Sequence, residues 1–291
     1  MGALHDFLLA PFIEFGFMQR ALGGTLLLCL GACPVGVFLM LRRMSLAGDA
    51  IAHAILPGAA TGFLLYGLEI LPMTIGGLVA GILVALGAAA VSRLTVLKED
   101  ASMAAFYLIS LALGVLIVSL RGSPVDLMHV LFGTVLALDD EAIGLIGGIA
   151  LATLIGLFTF WRALVAECLD PLFLRSVSKL GPPVHFVFLG LVVLNLVGGF
   201  QALGTLLSVG LMMLPAAAAR FWTGRVLPMC LVATLIGAAS VVSGLLLSFH
   251  LSLPSGPSII LSAGAVYLLS VLVGPRGLPS RRSRTLRHRA A

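Results

Sequence analysis

Charge is what this sequence has least of. Asp, Glu, Lys and Arg make up only 10% of its 291 residues, hydrophobic residues make up 60%, and the mean hydropathy is +1.17. A soluble domain carries about 25% charged residues. A water-solvated protein of ordinary composition is thus excluded, and no polar stretch is long enough to fold as a second unit. Residues 1–291 read as a single transmembrane domain. Cysteine is also scarce, with four in all. Cys29 and Cys33 stand four apart in one apolar run, which excludes a disulfide framework. Buried thiols of this kind act as small hydrophobes, and a two-cysteine metal site on that helix is the weaker alternative. No G-x-x-x-x-G-K-[ST] loop occurs, so this chain is not expected to hydrolyse ATP itself. The opening "MGALHDFLLAPF" has acids early, no basic run and no small-residue cleavage site, and no cleavable signal peptide is expected. Long Ser/Gly or Pro tracts are missing too, so the 34 glycines point to close helix packing rather than linkers.

What is there is a succession of apolar runs. A bilayer core needs about 20 apolar residues per helix. The runs predict an all-α integral membrane protein with about nine spans, near 18–41, 45–66, 70–91, 103–120, 141–161, 184–201, 203–219, 227–249 and 257–274. The stretch 125–138 is apolar but too short to cross, and is expected to be re-entrant or interfacial. The sixth and seventh spans are short and joined through "GGFQALG", which suggests a bent hairpin. Fifteen of the 17 basic residues fall in alternate loops and the tail 275–291; only Arg20 and Arg121 fall on the other side. The positive-inside bias makes the C-terminus cytoplasmic and, with nine spans, the N-terminus external. The tail "RRSRTLRHR" suits anionic lipid headgroups. Without interleaved aromatics it does not suit nucleic acid.

Against this background "RRMSLAGDAIAHAILPG", residues 42–58, is unusual. Asp49 and His53 are four apart, so a helix puts them on one face with Cβ atoms about 5–6 Å apart. A carboxylate oxygen and an imidazole nitrogen at that spacing can converge on one divalent ion, since zinc and manganese both accept such ligands. His53 lies ten residues beyond Arg43, or about 15 Å along a helix, near the bilayer midplane. Ionisable residues at such depth mark ion or proton paths. The bland alternative is that Asp49 caps a helix starting after Gly48 and that His53 is a satisfied interior histidine. His129, in "DLMHVLFG", is the other histidine in an apolar setting and a weaker candidate ligand. Asn195 and Gln201 are placed to hydrogen-bond between helices. The stretch "AECLDPLFLRSVSKLGPPV" is the longest polar interruption, and its Asp170-Pro171 start and Gly181-Pro182 end read as a short helix. It suits either docking to a partner or lying along the interface.

The block at 42–58 resembles the signature of the zinc/manganese-type permeases of metal ABC importers. The similarity continues in order through "KEDASMAAFY", "VDLMHVLFGTVLAL", "LDPLFLRSVSKLG", "FQALGTLLSVGLMMLPAAAARFW" and "SFHLSLPSGPSIIL". "ASMAAF" departs from the Thr-Ala-Ile-Gly run more typical after KED. The resemblance implies the membrane-spanning permease of an ATP-driven importer of Zn²⁺ or Mn²⁺, with Fe²⁺ as a further candidate, in a bacterial inner membrane. It also implies a second copy of the chain, a separate cytoplasmic ATPase, and a periplasmic or lipid-anchored metal-binding protein that delivers the ion. Asp49 and His53 match the family's metal path, and residues 168–183 match in position its cytoplasmic coupling helix. No permanent cofactor is implied; the metal is cargo. The rival expectations are a proton-coupled secondary metal carrier using the same two residues, and a membrane scaffold or sensor with no flux.

Overall fold

A backbone in lipid has no water to bond to, so long apolar runs form helices that satisfy their own amides. The computed structural model describes residues 10–67, 69–97, 99–120, 135–169 and 181–278, and every regular element among them is helical. In chain order these are α1 (Ala10–Glu14), α2 (Gly16–Leu41), α3 (Ser45–Ala54), α4 (Leu56–Tyr66), α5 (Ile70–Leu94), α6 (Glu99–Leu120), a 3₁₀ turn (Val135–Ala137), α7 (Asp140–Leu169), α8 (Gly181–Leu203), α9 (Thr205–Ala219), α10 (Val226–Leu251) and α11 (Ser255–Val273). Eight membrane-length segments result among the described residues, the pair α3–α4 counting as one, with α9 as a shorter apolar helix. The expected all-α membrane bundle is therefore what forms. The segments 121–134, 170–180 and 279–291 lie outside the described residues. With them go His129, most of the 125–138 stretch, the body of the expected coupling helix and most of the basic tail.

Helices α2 and α8 are the inner columns of the bundle, each buried over most of its length. Small residues let neighbours approach α2 closely. A side chain on Gly36 would run into the Met212 carbonyl of α9, and one on Gly31 into Asn195 of α8. Asn195 donates to Thr153 Oγ1 of α7 at 2.7 Å, the interhelical bond expected of it, and also to Leu191 O at 2.8 Å; the Gln201 side chain lies outside the described set. Pro215 inside α9 cannot donate to the carbonyl four residues back, Leu211. The Cys33 thiol of α2 donates to that carbonyl at 3.3 Å. Cys29, Cys33 and Cys230 are buried and unpaired, as small hydrophobes should be.

Two expected spans change shape. The second, 45–66, is broken at Ile55, because Pro57 lacks the amide that would continue the helix. Ser110 of α6 donates to the Ala54 carbonyl at the break, at 2.9 Å. The seventh span begins at Thr205 and runs only 15 residues, so it is shorter than a membrane-crossing helix. Gly204, at φ +86°, makes the sharp turn from α8 into α9 that the bent-hairpin expectation called for.

Candidate metal site

Helix α3 begins just after an abrupt joint. Arg43 adopts a left-handed conformation, φ +60°, uncommon for a residue with a side chain. The joint turns the chain from the end of α2 into Ser45. Along α3, Ala47, Gly48, Ala50, Ile51, Ala52 and Ala54 are buried against the bundle. Leu46, Asp49 and His53 recur at helical spacing on the opposite side, with Leu46 73% exposed and the Asp49 and His53 side chains 66% and 27% exposed. Asp49 is the fifth residue of the helix, so it caps nothing. The first bland alternative fails.

His53 Nε2 lies 3.8 Å from Asp49 Oδ1. Metal–ligand bonds of about 2.0–2.2 Å span up to about 4.2 Å across an ion, so one cation can touch both atoms with little movement. The other ring nitrogen, Nδ1, is buried and has no hydrogen-bond partner among the described residues. His53 is thus not the satisfied interior histidine of the second alternative. Its ring lies against Tyr107 of α6, with centroids 6.3 Å apart. It occupies the last turn of α3, where the carbonyl end of the helix dipole favours a cation. The break at Ile55 creates that end in mid-span, an arrangement that lets discontinuous helices hold ions inside a membrane.

Both residues open into a cavity of ≈ 320 Å³ whose other walls come from Thr205, Leu206, Val209 and Gly210 of α9 and Ile260 of α11. Sequence reasoning did not reach these wall residues; the Gly204-Thr205 turn was their only local signal. The cavity supplies no further strong ligand. Among the described residues no group of three or more His, Cys, Asp or Glu side chains is placed to hold a metal ion. The described residues of one chain thus offer a carboxylate and an imidazole, half of a four-coordinate shell.

A second ionisable set lies at the other side of the Arg43 joint. Arg42 Nη2 donates to Glu167 Oε2 at 2.7 Å, and His185 Nδ1 stands 3.7 Å from Glu167 Oε1. These three side chains are 6–10% exposed. Nothing in the sequence pattern pairs them, since Arg42 and Glu167 are 125 residues apart.

The model of the ABC 3 transport family matches residues 14–274. The manganese import system permease protein ScaB of Streptococcus gordonii is 31% identical over 263 residues, which are 90% of this chain and 93% of that protein. The manganese transport system membrane protein MntC of Halalkalibacterium halodurans is 31% identical over 265 residues, 91% and 89% of the two chains. Among solved structures, PsaBC from Streptococcus pneumoniae in complex with Fab superposes with a TM-score of 0.83 at 31% identity, covering 94% of this chain and 97% of that one.

Proposed function

The chain belongs to the ABC 3 transport family, and from that premise we propose that it is the permease of an ATP-driven importer whose cargo is manganese or a similar divalent ion. The observation that carries the proposal is the Asp49–His53 pair, 3.8 Å apart at a helix end inside a membrane-spanning segment and open to a cavity. Manganese is favoured because the relatives named above import or transport it; Zn²⁺ and Fe²⁺ suit the same ligand types. The ion arrives from a delivering protein outside the membrane. It rests briefly between the carboxylate and the imidazole, and leaves on the cytoplasmic side when a separate ATPase drives alternating access.

Two ligands form a weak site, and a transport site must release what it binds. The open face of α3 gives the reason to place a second copy opposite. An ionisable side chain such as Asp49 is not left facing lipid, and a second Asp49–His53 pair would complete four ligands. In this reading the basic tail is cytoplasmic, the N-terminus is external, residues 168–183 dock on the ATPase, and the membrane is the bacterial inner membrane.

Substituting Asp49→Asn and His53→Gln tests the proposal. Each change keeps a polar side chain of similar reach while removing the anionic or imidazole ligand. Mn²⁺ uptake at limiting external metal is expected to fall on the order of 100-fold, with membrane abundance unchanged. Wild-type uptake in both variants sinks the site. Uptake that persists after ATP depletion under a maintained proton gradient turns the assignment to a secondary carrier.

A further inference from the structure

One buried carboxylate joins three helix ends. Glu167 sits two residues before the end of α7, His185 four residues after the start of α8, and Arg42 immediately after the end of α2. Arg42 Nη1 also lies 3.4 Å from His185 Nδ1, and its guanidinium stacks over Phe188, 4.1 Å from the ring centroid. Burying such a set is expensive, and apolar residues of similar volume hold helices together equally well or better. Cohesion alone does not call for these charges. What ion pairs add is direction: a guanidinium–carboxylate contact fixes register where an apolar contact slides.

The position of the set gives that direction a use. Glu167 and His185 flank residues 170–180, one on each side. Arg42 is the residue before the Arg43 joint, and two residues after that joint α3 begins. Helix α3 is ten residues long, bounded by the left-handed Arg43 at one end and the Ile55 break at the other. It is therefore a short rod with a break at each end, and it carries Asp49 and His53.

We propose that Arg42, Glu167 and His185 form the joint that passes motion of the 170–180 segment to α3, and so couple the ATPase to the metal ligands. The inference rests on the proposed docking role of that segment. All three are positioning residues, because none of them lines the Asp49–His53 cavity.

The test uses the chain reconstituted with its ATPase in proteoliposomes and supplied with Mn²⁺-loaded delivering protein. Leu46→Cys, on the open face of α3, reports motion through its rate of reaction with a membrane-impermeant maleimide, in a Cys168→Ser background. Cys168 contacts Arg42, and the serine keeps that hydrogen bond, so the background serves as the parent only once its uptake equals that of the unaltered chain. In the parent this rate should change at least about fivefold between nucleotide-free and ATP-bound states, the lower end of coupling between linked sites. In Glu167→Gln and His185→Gln the change is expected to vanish and Mn²⁺ uptake to be lost, while ATP hydrolysis continues. The double variant Arg42→Gln/Glu167→Gln carries no unpaired buried charge. It decides the matter if the single variants fail to insert: loss of the rate change with hydrolysis intact supports the joint. A parent-like rate change and parent-like uptake in the double variant overturn it, as does a parallel fall of abundance, hydrolysis and uptake. If the parent itself shows no nucleotide-dependent change, the ATP-coupled function fails first and the joint falls with it.

Discussion

Seven residues separate Arg42 from Asp49, and the two sit in opposite electrostatic settings. Arg42 points into the bundle, where Glu167, His185 and the Phe188 ring surround its guanidinium. Asp49 points away from the bundle; the imidazole of His53 is 3.8 Å off and has an unpartnered nitrogen of its own among the described residues. The same few turns of chain thus carry a closed set of charges and an open one. The closed set pairs its charges within the chain, although Arg42 Nε has no hydrogen-bond partner among the described residues, so altering it disturbs the helices it joins. An open set is incomplete among the described residues, and the proposed second copy is what would complete it.

That contrast can be broken by thermal unfolding of purified variants. The largest loss is expected on the closed side. Glu167→Ala leaves Arg42 buried without its carboxylate, which costs about 3–5 kcal/mol and should appear as reduced membrane abundance and a clearly lower Tm. Gly36→Ala, also on the closed side, pushes a methyl into the Met212 carbonyl and should cost about 1–3 kcal/mol; Gly23→Ala on the same helix, with nothing near its Cβ, should cost nothing. Cys33→Ala orphans the Leu211 carbonyl that Pro215 leaves without a donor, for about 1 kcal/mol, and Cys33→Ser should recover most of it. On the open side, Asp49→Asn should change stability by less than about 0.5 kcal/mol, as at exposed positions generally, while uptake is expected to fall on the order of 100-fold. A large stability loss in Asp49→Asn would put the carboxylate among the structural charges and erase the distinction.

Much of the bundle was legible in the sequence because apolar runs in lipid have one backbone solution. The expected 18–41 and the observed Gly16–Leu41 differ by two residues, and the expected 203–219 and observed Thr205–Ala219 also by two. The Asp49–His53 pair was legible for a similar reason, since local spacing on a helix fixes which side chains meet. The break at Ile55 was written in Pro57 but masked by the hydropathy of the surrounding run. The Arg42–Glu167–His185 set was not legible. Its members come from three distant helices, and Arg42 registered only as a charge that orients the chain. Which residues wall the cavity was equally hidden, because Val209, Gly210 and Ile260 look like any lipid-facing or core residues.

Helix α9 is short. Its 15 residues rise about 22 Å, against a hydrocarbon layer of about 30 Å, so it falls about one and a half turns short of carrying the chain across. Its first residue, Thr205, lines the cavity that holds Asp49 and His53. Thr205, Leu206, Val209 and Gly210, the first two turns of α9, wall that cavity on one side. On the proposed reading, an ion that reaches Asp49 and His53 does so beside a helix that begins at the cavity itself, so one turn of backbone, and not a full span, sets how far the site lies from the membrane surface on that side.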